Sequence, residues 1–112
     1  MTRAAFAFFR MEYQLVLQFS ISETTDFDEL IDLEGRLIVV LGDGHVVDGH
    51  DFGSGEMNIF IHTDDPQGAF ELCRPVIQSS LQAALKAAYR KLSGDEYFWI
   101  YPQYSDSDFS VA

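Results

Sequence analysis

The residues most able to do chemistry lie in Asp43-Gly44-His45-Val46-Val47-Asp48-Gly49-His50-Asp51, where Asp-Gly-His occurs twice at a five-residue offset. Imidazoles and carboxylates at this density are the donor set for a divalent metal or for proton transfer. The spacing argues against both uses. An odd offset puts His45 and His50 on opposite faces of a strand, and His62, which shares a face with His50, lies about 13 Å further along at strand rise. Asp48 and His50 are separated by about 7 Å on the same basis, too far for a direct hydrogen bond. The calcium-loop pattern is absent. Ser54, in Gly53-Ser54-Gly55, resembles a nucleophile elbow only superficially, because a strand rather than a helix follows it. The glycine-rich stretch has no Lys-Ser/Thr behind it to cradle phosphate. Cys73, the single cysteine, sits among apolar residues and reads as a buried small hydrophobe. The residues give no catalytic, metal-binding or cofactor assignment.

The elements that must position these side chains follow from periodicity. Residues 13–20 alternate, with Tyr13, Leu15, Leu17 and Phe19 on one face of a half-buried strand. Thr25 with Asp28 predicts a capped helix running to about Leu41, with Phe27, Leu30, Ile31, Leu37, Ile38 and Leu41 near helical spacing and Gly42 as its stop. Residues 45–52 and 56–63 predict a hairpin. A regular three-residue loop, Gly53-Ser54-Gly55, would pair Phe52 with Glu56, His50 with Asn58, Asp48 with Phe60 and Val46 with His62. Val47, Met57, Ile59 and Ile61 then form the core side. An acidic cap before Pro66 starts a helix to about Arg74, and Pro75 interrupts it. The alanine-rich Leu81–Leu92 predicts a further helix, with the alternative that 88–92 is a strand in a hairpin with Tyr97–Tyr101. Tyr97–Tyr101 is a strand by aromatic enrichment. The order strand, helix, strand, strand, helix, strand predicts an α+β, ferredoxin-like two-layer sandwich (βαββαβ), its antiparallel sheet carrying both helices on one face.

The chain has 112 residues, 18 Asp and Glu, 7 Lys and Arg, and a formal net charge of -11. This length predicts one domain, and 47% hydrophobic residues are enough for a core. The acidic excess disfavours nucleic acid as a partner, no stretch approaches the ~20 apolar residues of a membrane span, and one cysteine excludes an intramolecular disulfide framework. Residues 1–10 read as an N-terminal extension, either part of the native chain or upstream of its start, 11–102 as the domain, and 103–112 as a solvated acidic tail with Phe109 as a weak anchor. The domain alone retains the full -11, much of it in Glu23–Glu34 and Asp43–Asp65.

The segment Gly49-His50-Asp51-Phe52-Gly53-Ser54-Gly55-Glu56-Met57-Asn58-Ile59-Phe60-Ile61-His62-Thr63-Asp64-Asp65-Pro66 resembles one found in small bacterial ferredoxin-like proteins of no settled activity. The resemblance covers residues 11–102. It implies the same fold and a bacterial, cytoplasmic setting, and it transfers no site residues.

The predicted open face of the sheet displays Gln14, Val16 and Gln18, then Asp48, His50 and Phe52, then Asn58, Phe60 and His62. Polar residues framing aromatics read as an interaction surface, with the alternative that one of the chain termini folds over it. The expected function is therefore a non-enzymatic interaction domain, binding a second copy of itself or a basic protein through this face. An immunity-type neutraliser is its more specific form. The alternative is a small-molecule-binding protein or hydrolase using His50, Asp48, Asn58 and His62.

Overall fold

The computed structural model describes residues 11–103 and 107–111. Its elements are β1 (Tyr13–Ser20), α1 (Phe27–Leu41), β2 (Val46–Gly53), β3 (Glu56–Thr63), α2 (Pro66–Cys73) with a 3-10 turn at Arg74–Val76, α3 (Ser79–Gln82), β4 (Leu85–Lys91) and β5 (Phe98–Tyr101). The five strands form one antiparallel sheet in the order β2-β3-β1-β4-β5. The chain is an α+β domain in which α1 crosses from β1 to β2 and α2 from β3 to β4.

The central strand explains the layering. Leu15, Val16 and Leu17 are consecutive and all fully buried, so both faces of β1 are covered. On one side Leu15, Leu17 and Phe19 join Met57, Ile59 and Ile61 of β3 beneath Leu30, Leu33, Leu37 and Leu41 of α1 and Phe70 and Cys73 of α2. On the other side Val16 and Ala88 lie beneath Phe109, with Phe60, Tyr97, Trp99 and Val111 around them. Residues 107–111 are thus a packed part of the domain and not a solvated tail, while the expected extension 1–10 lies outside the described residues. Trp99 Nε1 donates to the Ser107 carbonyl at 2.6 Å, and the Phe109 ring meets Tyr97 and Trp99 at 5.0 and 5.3 Å.

Both main helices begin where carboxylates meet free backbone N–H groups. Asp26, not Thr25, caps α1 by accepting from the Glu29 N–H. Thr25 instead accepts from the Ser22 N–H in the preceding turn. Asp65 caps α2 by accepting from the Gly68 N–H, with Pro66 in the first turn. A Cβ at Gly68 would collide with that same carboxylate.

The expected helix over 81–92 is corrected to the four-residue α3 followed by β4, which replaces the six-element order with one containing a fifth strand. Intrinsic preference loses to tertiary demand here. β1 needs a partner on its second edge, and the adjacent Ala87 and Ala88 are both fully buried, one against each layer. β5 accordingly pairs with β4, as in the hairpin alternative.

The β2–β3 hairpin carries the second correction. Its loop is the two-residue Ser54-Gly55, both at positive φ (52° and 76°), with Gly53 opposite Glu56. Such a turn matches strand twist, and glycine supplies the left-handed conformation cheaply. The register therefore runs Phe52 to Met57, Asp51 to Asn58 and His50 to Ile59. It slips by one residue at a bulge between Val47 and Gly49, where Gly49 has φ 136°, and regains Val46 opposite His62.

Candidate functional site

That one-residue slip decides which face each candidate residue occupies. His50 and Phe52, expected on the outer face with Asn58, point to the helix layer instead. His50 Nδ1 lies 2.9 Å from Glu34 Oε1 of α1, and the Phe52 ring contacts His50 at 5.6 Å and Phe27 at 5.8 Å. Asp48 stays at the bulge, its Oδ2 3.7 Å from His62 Nε2. Asn58 donates to Asp51 Oδ1 at 3.0 Å and accepts from Gln18 Nε2 at 2.9 Å. His45 meets the Thr63 hydroxyl at 2.6 Å. Each histidine thus has a different partner, and the set His50, Asp48, Asn58 and His62 is divided between two layers.

The outer face holds Gln14, Val16, Gln18, Asn58, Phe60 and His62, but it is not open. Gln14 is 8%, Gln18 3%, and Val16 and Asn58 0% exposed. Gln18 Nε2 also donates to the Ser110 carbonyl at 2.9 Å, so the amide chain Asp51–Asn58–Gln18 ends on the backbone of the C-terminal segment. Buried amides require this completeness, since an unpaired one costs about 1–3 kcal/mol. The C-terminal segment occupies the surface that sequence patterning had offered to a partner.

A different surface is left uncovered. α1 has two apolar stripes. Leu30, Leu33, Leu37 and Leu41 face the sheet, whereas Phe27, Ile31, Ile38 and Val39 are 48, 45, 56 and 80% exposed. Phe52 of β2, 49% exposed, extends the second stripe through its contact with Phe27. Beside it a shallow apolar depression of about 580 Å³ runs along Gly35, Val39, Val40 and Val76, edged by Asp32 and Arg36. Gly35 has no structural reason to be glycine. Its φ is not left-handed and nothing lies within 4 Å of where a Cβ would stand, yet glycine in a helix costs about 1 kcal/mol relative to alanine.

The charge is unevenly divided along the chain. Residues 23–65, spanning α1, β2 and β3, hold twelve carboxylates and one arginine, Arg36, while the remainder of the chain is balanced at six of each sign. Phe27, Ile31 and Ile38 share helical spacing with Leu30, Leu37 and Leu41. Plotted at 100° per residue, they continue the leucine arc along its flank toward β2, so helical periodicity alone does not separate them from the buried face.

Other groups are structural. Cys73 is buried, and desolvation pushes its thiol from 9.0 up to about 12, which keeps it protonated and inert. Among the described residues no helix is long and apolar enough to cross a membrane. No protein-family model matches the chain, and neither a curated protein nor a solved structure matches it.

Proposed function

We propose that the chain is a non-enzymatic interaction domain that docks a basic protein partner through α1 and the adjoining part of β2. The observation that carries this is the uncovered stripe Phe27, Ile31, Ile38 and Phe52, which lies within the stretch 23–65 whose residues account for the full net charge. Apolar anchors supply contact area and the surrounding carboxylates select and steer a cationic partner. Gly35 supports the reading, because a notch that the fold itself does not use lets a facing side chain approach the helix backbone.

Charge also chooses between occupants. A second copy would bring Asp28, Glu29, Asp32 and Glu34 of one α1 toward those of the other, with Arg36 as the one cation of the helix, and like-charge juxtaposition opposes association. The β2 edge adds to this, because a bulge and the charged Asp48 and Asp51 discourage strand-to-strand pairing. A neutraliser that masks a basic protein is the specific form of this function. The scaffold is ferredoxin-like with β5 added at one edge, a reading supported by the strand order β2-β3-β1-β4 and by α1 and α2 sharing one face.

Fluorescence anisotropy with a synthetic amphipathic Leu/Lys helix tests the reading. The full chain is expected to bind it, with affinity falling as salt rises. The Ile31→Ser/Ile38→Ser double variant is expected to bind roughly tenfold or more weakly, the scale of losing two anchors. Equal binding by the variant, or equal affinity for an all-polar lysine peptide of the same charge, would reduce the surface to a nonspecific acidic patch and overturn the proposal.

A further inference from the structure

Away from α1, a cleft of about 560 Å³ opens between α2 and the β4–β5 edge, a volume within the range of small-molecule sites. Phe70, Ile100 and Tyr101 give it an apolar floor, and Gln67, Glu71 and Arg74 from one face of α2 and its 3-10 extension stand at its rim. The Arg74 guanidinium lies 4.8 Å from the centre of the Tyr101 ring, and Tyr101 stacks on Phe70 at 6.0 Å and 30°.

The Tyr101 ring faces the guanidinium as a cation–π partner, a contact that takes none of its N–H donors. Among the described residues the Arg74 side chain makes no ion pair or hydrogen bond, and neither does Glu71, three residues before it on the same face. Such unpaired opposite charges are notable because residues at i and i+3 on a helix are close enough to interact. One cation and one anion, held apart above an aromatic floor, are complementary to a ligand that carries both charges.

We propose that this cleft binds a free α-amino acid with an apolar side chain. Its carboxylate takes the planar fork of Arg74, its ammonium faces Glu71, and its side chain lies on Phe70, Ile100 and Tyr101. A simple organic anion would meet the opposing field of Glu71, and a simple amine that of Arg74. This site is separate from the α1–β2 surface and does not depend on its function.

The test is an NMR titration of the full chain with L-phenylalanine, alongside 3-phenylpropionate, which lacks the ammonium group, and phenethylamine, which lacks the carboxylate. The expected result is saturable shifts at Gln67, Phe70 and Tyr101 with the amino acid. Each single-charge analogue should bind roughly tenfold or more weakly, and Arg74→Gln and Glu71→Gln should each weaken amino-acid binding by a similar factor. The variants' own spectra report whether they fold. Should Arg74→Gln unfold, Arg74→Lys, which keeps the charge but loses the stacked fork, is expected to weaken binding as well. Absence of saturable shifts at millimolar amino acid, phenylpropionate binding as tightly as phenylalanine, or unchanged affinity in folded variants would overturn the proposal.

Discussion

The domain has two apolar surfaces outside its main core, and they meet opposite fates. The outer face of the sheet, built on Val16, Phe60, Ala88 and Trp99, is closed by residues 107–111. The outer stripe of α1 is left in water. The difference lies in what surrounds them. The sheet face includes buried amides, Gln18 and Asn58, that need a fixed hydrogen-bonding partner, and the Ser110 carbonyl provides one. The α1 stripe has one partly buried carboxylate, Glu34, and His50 of the neighbouring strand already meets it at 2.9 Å. A surface that must be satisfied for the fold to hold is covered by the chain itself. A surface that can wait is available to something else.

This contrast can be broken at its strongest point first. Phe109→Ala removes the ring that plugs the sheet face and is expected to cost about 3 kcal/mol in urea denaturation, the scale of deleting a buried phenylalanine. A loss below about 0.5 kcal/mol would mean the C-terminal segment is only loosely attached. Asn58→Ala leaves one donor of the buried Gln18 amide unpaired, and a loss of about 2 kcal/mol is expected, the cost of unpairing a buried polar group. Gly35→Ala acts in the other direction. It should raise stability by up to about 1 kcal/mol through helix propensity while weakening peptide binding. A variant both more stable and equally competent would remove Gly35 from the docking surface. The smallest effect is expected for Ile38→Ser, within about 0.5 kcal/mol in stability because its side chain is already solvated. Any larger loss would move Ile38 from the docking stripe into the core.

The same contrast explains what could be read from the sequence. β1, β3 and the start of α2 were legible because alternation, an acidic cap and Pro66 act locally. The fully buried positions 57, 59 and 61 followed from period alone. The alanine run over 83–88 was not, since alanine suits a helix in isolation and a crowded central sheet in context. The register of β2 turned on one inserted residue. Gly49 within a strand pattern was the local hint of a bulge, but the paired Asp-Gly-His motifs suggested chemistry instead. The closure of the sheet face depended on contacts between Phe109 and residues up to ninety positions earlier, which no local pattern encodes. The site moved for the same reason. Tertiary packing decided which of the two apolar surfaces, one on each layer, would be covered and which left exposed.

The most direct test of this division is a chemical-shift map of the isotope-labelled chain as the amphipathic Leu/Lys helix is added. Shifts confined to residues 27–39 and 50–52, with residues 14–18, 58–62 and 107–111 unchanged, are the result predicted here. Shifts centred on the sheet face, with release of Phe109 from Val16 and Ala88, would contradict it.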